Sequence, residues 1–159
     1  IDVGVARHTF ERIVFRVPEN GLQGKFSMPY LLARAIIDGR LFLDAFTDSA
    51  VRDTNVVRLA EKIQMHLDPD LQPTAQGSRP CKVTIRLRDG RSFSRQVDYA
   101  KGSREAPMTD DELKQKFTGC AREALGDSSI ERIIEYVEHL ETLEDIRPMC
   151  QLLIGLNKS

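Results

Sequence analysis

The sequence predicts an α+β fold, in which helices cover a small antiparallel sheet and further helices follow it. Two patterns predict this class. Residues 83–88 alternate apolar and polar side chains, and Asp89-Gly90 provides a turn into a returning segment at 93–97, which is typical of a β-hairpin. Residues 130–140 repeat apolar side chains every three or four positions, which is typical of an amphipathic helix. We therefore predict an α+β part at residues 1–107 and a helical part at residues 108–159.

In the α+β part, turn and cap residues mark the limits of the first elements. Residues 10–17 alternate and predict a strand that ends at the turn residues 18–21. A helix is predicted at residues 28–38, because Ser27 can cap it, Pro29 suits its first turn and Gly39 can end it. Further elements are then predicted before the hairpin: a helical segment at 41–46, a turn at 49–51, a helix at 56–63, a strand at 65–67 and a surface loop at 69–80.

The hairpin is the clearest β signal of the chain. Val83, Ile85 and Leu87 face one way, and Asp89-Gly90 provides a two-residue turn into the returning strand. The other face carries arginines into solvent. An alternative is a clamp for a polycarboxylate, which requires the arginines to converge on one point. The arginines concerned are Arg86, Arg88, Arg91 and Arg95.

Two capping boxes predict helix starts in the helical part. Thr109 with Glu112 begins one helix, and Ser128 with Glu131 begins the next. A last short helix is predicted from the apolar residues between 146 and 153, in spite of Pro148.

Composition limits the possible functions. The chain has 159 residues, of which 41% are hydrophobic and 30% charged, the balance of a soluble globular protein. A formal net charge of −1 gives no strong field to attract nucleic acid or an anionic membrane. No apolar run approaches the roughly twenty residues that span a bilayer. We expect a cytoplasmic protein that binds neither nucleic acid nor membrane.

The cysteines and histidines are too far apart to form a recognisable site. There are three of each: Cys81, Cys120, Cys150, His8, His66 and His139. An odd number of distant cysteines favours reduced thiols over a disulfide framework. A catalytic thiol is the less favoured alternative, because no histidine lies near a cysteine in the sequence. Since no pair has the spacing of zinc ligands, we predict no metal site.

Lys25, Ser27 and Tyr30 form the candidate functional site. They cluster at the start of the helix predicted at 28–38, and a helix N-terminus attracts anions. The simpler interpretation is a buried helix with an ordinary cap. The residues alone leave both interpretations open.

The same segment belongs to an ordered series of short motifs that covers most of the chain. The series consists of Lys25-Phe26-Ser27-Met28-Pro29-Tyr30, Asp38-Gly39, Phe46-Thr47-Asp48, Val51-Arg52-Asp53, residues 83–91, Lys101-Gly102-Ser103, residues 110–113, Lys116-Phe117, Leu140-Glu141 and residues 143–146. No single motif is specific, but the order is. From about Phe10 to Leu153 the chain resembles the C-terminal part of the MmgE/PrpD family.

The resemblance implies a lyase or isomerase that acts on a small polycarboxylate without a metal or other cofactor. Members include 2-methylcitrate dehydratases, cis-aconitate decarboxylases and iminodisuccinate epimerases, and we expect 2-methylcitrate dehydration. The resemblance also implies that the histidines and most lysines of the site belong to a helical N-terminal domain that would precede Ile1. We expect this chain to be the C-terminal lid of such a protein, inactive alone and dimeric when intact.

Within this chain, the resemblance gives the catalytic role to Tyr30. It matches the Tyr of the family's F-S-x-x-Y segment, which faces the cleft between the domains. A phenol there can hydrogen-bond a substrate carboxylate or protonate a carbanion. Lys25 and Ser27 are the expected substrate-binding residues. The alternatives are a half-buried core role for Tyr30 and, for the whole chain, a free-standing anion-binding, regulatory or oligomerisation module without catalysis.

Overall fold

A computed structural model describes residues 1–74 and 78–154 of the chain. The chain divides into two compact units, Ile1–Pro107 and Met108–Ser159. Residues 75–77 of the predicted loop and residues 155–159 at the end of the predicted helical part lie outside the described residues.

The first unit contains a four-stranded sheet, and the predicted α+β class is confirmed. The strands are β1 (Asp2–Val5), β2 (Gln64–Leu67), β3 (Cys81–Arg86) and β4 (Ser92–Val97), in the order β2-β1-β3-β4. The prediction of an antiparallel sheet is wrong in one respect, because β1 pairs with β2 in parallel. The long helical connection between these strands explains the parallel pairing, since it returns the chain to the end where β1 starts.

The strand predicted at residues 10–17 is absent. The chain instead forms helix α1 (Arg7–Arg12) and continues without regular structure. Phe15 N donates to Phe26 O at 3.1 Å, so this segment lies beside the chain around residue 26 rather than in the sheet. The true first strand, β1, was missed because it is four residues long and Gly4 interrupts its apolar pattern.

The hairpin of β3 and β4 is confirmed, with a correction at its turn. Leu87 N donates to Arg91 O at 2.8 Å and Gly90 N donates to Leu87 O at 3.1 Å, so the loop has three residues rather than two. Gly90 adopts φ +89°, the left-handed conformation that such a loop requires of its last residue.

Helices pack on one face of the sheet. They are α3 (Met28–Asp38) and α4 (Thr54–Ala60), which supply core residues, while α2 (Gly21–Gly24) packs on short 3₁₀ turns at Leu43–Phe46 and Ala50–Arg52. The predicted limits of α3 are confirmed: Ser27 caps it, Pro29 lies in its first turn and Gly39 ends it at φ +68°. The core of this unit consists of Val3, Val5, Tyr30, Ala33, Val51, Val56 and Ile63, all buried.

The second unit is helical. It contains α5 (Asp110–Ala121), α6 (Asp127–Glu138), a 3₁₀ turn at Leu140–Thr142 and α7 (Arg147–Ile154). The capping box of Thr109 and Glu112 is confirmed at the start of α5. The second capping box is wrong, because α6 begins at Asp127, one residue before Ser128, and Gly126 caps it without a side-chain hydrogen bond. Among the helices of the described ranges, none combines the length and apolar character needed to cross a membrane.

Candidate functional site

Tyr30 is part of the core of the first unit. Its side chain is 1% exposed, and its hydroxyl donates a hydrogen bond to the Ala45 carbonyl oxygen. The ring meets the Phe46 ring edge-on, with 6.5 Å between the centroids. Burial raises the pKa of the phenol, while the charge of Arg34 acts in the opposite direction. Tyr30 therefore keeps its proton at neutral pH and directs it towards the backbone that follows α3.

Ser27 is fully buried and works as a cap. Its hydroxyl accepts from Tyr30 N at 3.3 Å and donates to Arg16 O at 3.4 Å. Of the first three amides of α3, one is missing because of Pro29 and the Tyr30 amide is already bonded. This helix start has few free donors for an anion, which favours the interpretation of an ordinary cap.

Lys25 is exposed at the same end of α3. Its Nζ lies 5.7 Å from the centroid of the Phe46 ring, within the range of a cation–π contact. Tyr30 and Lys25 thus both contact Phe46. The structure brings the three predicted residues together, with the lysine at the surface, the serine buried as the cap and the phenol in the core.

Arg34 is a residue that the sequence interpretation missed. It lies one turn after Tyr30 on α3, and its side chain is 13% exposed. Its guanidinium reaches the Asp38 carboxylate at 2.6 Å and the Asp53 carboxylate at 3.5 Å, and Asp53 caps α4. Its Nε is buried without a hydrogen-bond partner in the part of the chain that the structure describes. Arg34 therefore ties α3 to the start of α4, and the Asp38 carboxylate four residues later was its only sequence signal.

An exposed apolar surface adjoins the start of α3. It consists of Val14, Val17, Leu22 and Phe26, which we call the 14–26 surface. The Phe15–Phe26 and Ser27–Arg16 hydrogen bonds hold this segment against the helix start. A cavity of about 160 Å³ lies beside it, with Arg16, Val17 and Tyr30 among its lining residues. Apolar side chains that are exposed near one another commonly mark a site of interaction with another folded body.

The proposed arginine clamp does not form. Arg86 pairs with Asp2, and Arg91 pairs with Asp89. Arg95 lies opposite Val83, on the sheet face that Arg86 does not share. These side chains therefore belong to separate surfaces, as expected for a solvated sheet.

The cysteines and histidines give no catalytic cluster. Burial raises the pKa of the Cys81 thiol, which disfavours the thiolate that a nucleophile needs. Cys120 and Cys150 are exposed thiols on helices of the second unit. Within residues 1–74 and 78–154, no three His, Cys, Asp or Glu side chains are placed to hold a metal ion.

Comparison with known proteins decides the family. The MmgE/PrpD C-terminal domain matches residues 1–142, which is most of the chain. The chain belongs to the MmgE/PrpD family. The match ends before α7, so this last helix extends beyond the matched part of the MmgE/PrpD domain.

Several cis-aconitate decarboxylases resemble this MmgE/PrpD domain at low identity. The Mus musculus enzyme is 28% identical over 155 residues, which cover 91% of this chain and 32% of that protein. The Homo sapiens enzyme is 26% identical over the same shares of each chain. The Aspergillus terreus enzyme is 26% identical over 86% of this chain and 28% of its own length. The chain thus spans about a third of the length of these relatives.

Proposed function

We propose that this chain is the C-terminal domain of a lyase that acts on a small polycarboxylate. The observation that carries the proposal is the family match over residues 1–142, together with relatives that are cis-aconitate decarboxylases. Those relatives favour decarboxylation of an unsaturated tricarboxylate over the 2-methylcitrate dehydration that the sequence led us to expect. Epimerisation is the third reaction that the family resemblance leaves open.

The 14–26 surface supports a lid role for the first unit. Its apolar side chains are exposed in this chain, and they adjoin the helix start that carries Lys25, Ser27 and Tyr30. We propose that a helical N-terminal domain covers this surface in the intact protein and supplies the histidines and lysines of the site. Water would then be excluded from a cleft that has the start of α3 along one wall.

Tyr30 is the residue of this chain that we propose for the chemistry. Loss of CO₂ leaves an electron pair on carbon, and the enzyme must stabilise that carbanion and place a proton on it. The Tyr30 phenol is protonated at neutral pH, because an ordinary phenol has a pKa of about 10 and burial raises it further. To act, its hydroxyl must exchange the Ala45 carbonyl for a substrate group. Domain closure would have to make that exchange.

The reaction is tested with the intact protein encoded by the complete reading frame. Purified protein is given cis-aconitate, 2-methylcitrate or citrate separately, and CO₂ release and alkene formation are measured in parallel. We expect CO₂ release from cis-aconitate. Alkene formation from 2-methylcitrate without CO₂ release would support the dehydratase instead. No turnover of any small polycarboxylate would contradict the proposed substrate class.

The role of Tyr30 is tested by Tyr30→Phe in the same intact protein. We expect kcat to fall at least about tenfold, the lower range for the loss of a proton-transfer group. Tyr99→Phe is the matched control, because its hydroxyl bonds Thr74 Oγ1 at 2.9 Å elsewhere in the same unit. A Tyr30→Phe enzyme with unchanged kcat would show that the phenol only anchors α3.

A further inference from the structure

The open face of the sheet carries a polar cavity that the proposed function does not use. Its volume is about 290 Å³, and its lining residues come from β1, β2, β3 and the chain just after β2. This face is opposite the helices, since Val3 and Val5 of β1 point into the core and Gly4 between them faces the other way. The lining includes Asp2, Gly4, His66, Asp68, Lys82 and Arg86.

Gly4 makes the floor of this cavity, which we call the Gly4 notch. Gly4 pairs with His66 on β2 and with Lys82 on β3, so these two residues lie in register on either side of it. Neighbouring strands are about 4.8 Å apart, which separates the flanking Cα atoms by about 10 Å across a position without a side chain. A Cβ at Gly4 would lie 2.9 Å from Asp68 Oδ2, so the Asp68 carboxylate lies directly above the notch.

Two groups of opposite charge in the notch, one oxygen of Asp68 and the ammonium of Lys82, have no partner among the described residues. Arg86 and Asp2 form an ion pair with each other, which satisfies both. Asp68 Oδ1 accepts from Asp70 N at 3.0 Å. Within the described parts of the chain, neither Asp68 Oδ2 nor the Lys82 ammonium has a hydrogen bond or an ion pair. One carboxylate oxygen and one ammonium therefore face the same small cavity unpaired.

We propose that the Gly4 notch binds a small zwitterionic α-amino acid. The ligand's ammonium bonds Asp68 Oδ2, and its carboxylate pairs with Lys82, because charge-assisted hydrogen bonds of this kind are the strong ones. A ligand with one charge would leave one of these two groups unmatched. An organic ammonium suits Asp68 better than a metal ion, since no three ligating side chains of the described residues are arranged around one. The cavity of about 290 Å³ leaves room beside the Asp68 side chain for the body of a small ligand.

The proposal is tested by NMR titration of the 159-residue chain with glycine as the probe. Acetate and methylammonium, each carrying one of the two charges, are titrated separately. We expect glycine at millimolar concentration to shift the backbone amides of Gly4, His66, Asp68 and Lys82 in a saturable way. Each half-ligand should bind at least about tenfold more weakly, because it makes one charge contact instead of two. Shifts with acetate equal to those with glycine would overturn the proposal, as would no shifts with glycine.

Charge-removing variants locate the site. Asp68→Asn keeps an acceptor for the Asp70 amide and removes the charge, and Lys82→Gln removes the other charge. Each should weaken glycine binding at least about tenfold. Arg95→Gln is the matched control, because Arg95 lies on the opposite face of the same sheet and its loss should leave binding unchanged. Wild-type affinity in both Asp68→Asn and Lys82→Gln would contradict the assignment even if glycine binds.

Discussion

The two units of the chain bury their apolar side chains to different extents. In the first unit, seven core residues are each at most 2% exposed and contact one another across the sheet, α3 and α4. In the second unit, α6 buries Ile130 and Ile133, yet Val137 on the same stripe is 56% exposed. An apolar groove of about 620 Å³ lies between α5 and α6, with Leu113, Phe117 and Val137 along it.

This difference indicates where each unit obtains its stability. The first unit has a shared core that can stabilise it alone, because buried apolar area is the main favourable term in folding. The helices of the second unit have amphipathic patterns without an equally closed core. Short helices of this kind gain most of their stability from packing on another surface. We propose that this surface belongs to the remainder of the intact protein.

The largest loss of stability is expected from substituting a glycine whose Cβ position is already occupied by other atoms. A Cβ at Gly21 would lie 1.8 Å from the Phe46 carbonyl oxygen, so Gly21→Ala must displace backbone. We expect the free energy of unfolding to fall by at least about 3 kcal/mol, measured by urea denaturation. Gly126→Ala in the second unit is the matched control, because among the described residues only its chain neighbours approach its Cβ position within 4 Å. Equal losses in the two variants would remove the contrast between the units.

A smaller effect is expected from matched valine truncations. Val5 is fully buried in the first unit, whereas Val137 of the second unit is 56% exposed. Val5→Ala should lower the free energy of unfolding by about 2 kcal/mol, the sum of lost transfer energy and a small cavity. Val137→Ala should change it by less than about 0.5 kcal/mol. A costly Val137→Ala would indicate that the second unit has a core of its own.

A third prediction concerns the ion pairs of the first unit. Arg34→Gln removes a mostly buried partner from Asp38 and Asp53. We expect a loss of about 1 kcal/mol, kept low because Asp53 is itself 38% exposed. Arg40→Gln breaks a pair with Asp44 in which both side chains are 52% exposed, and it should cost less than about 0.5 kcal/mol. Thermal unfolding of both variants measures the two losses of stability. A larger loss in Arg40→Gln than in Arg34→Gln would refute the prediction.

The smallest expected effect on stability comes from the Tyr30 phenol and is confined to alkaline pH. Burial raises the pKa of Tyr30 above that of an exposed phenol, which is about 10. Above that pH the unfolded chain holds fewer protons than the folded chain, so the free energy of unfolding falls as pH rises through the folded pKa. Below pH 10 this contribution is fully present. Urea denaturation across this range should show a shallower decline in Tyr30→Phe than in the wild type, and parallel curves would contradict a buried phenol.

Local signals explain what the sequence predicted correctly. The limits of α3 follow from Ser27, Pro29 and Gly39, each of which acts on its own few residues. The capping box at Thr109 and the hairpin around Gly90 are equally local. For the same reason the sequence grouped Lys25, Ser27 and Tyr30, which lie at one helix start.

Contacts between residues distant in the sequence explain what the sequence-based prediction missed. The parallel pairing of β1 with β2 joins Gly4 to His66 across more than half of the first unit, and no local pattern encodes it. The same holds for the Tyr30 hydroxyl, whose acceptor lies 15 residues away at Ala45, and for the contact of Arg34 with Asp53. The alternation at residues 10–17 predicted a strand that does not form. Val14 and Val17 belong instead to the exposed 14–26 surface, which local alternation cannot distinguish from a strand.

Hydrogen exchange of the 159-residue chain, read by mass spectrometry, tests the contrast between the units most directly. We predict that amides of β1, β3 and α3 exchange only through global unfolding of the first unit. Amides of α5, α6 and α7 should exchange at least about a hundredfold faster, because local opening there exposes little additional apolar surface. Equal protection in α3 and α6 would contradict the account, since it would mean that the second unit is stabilised as fully as the first.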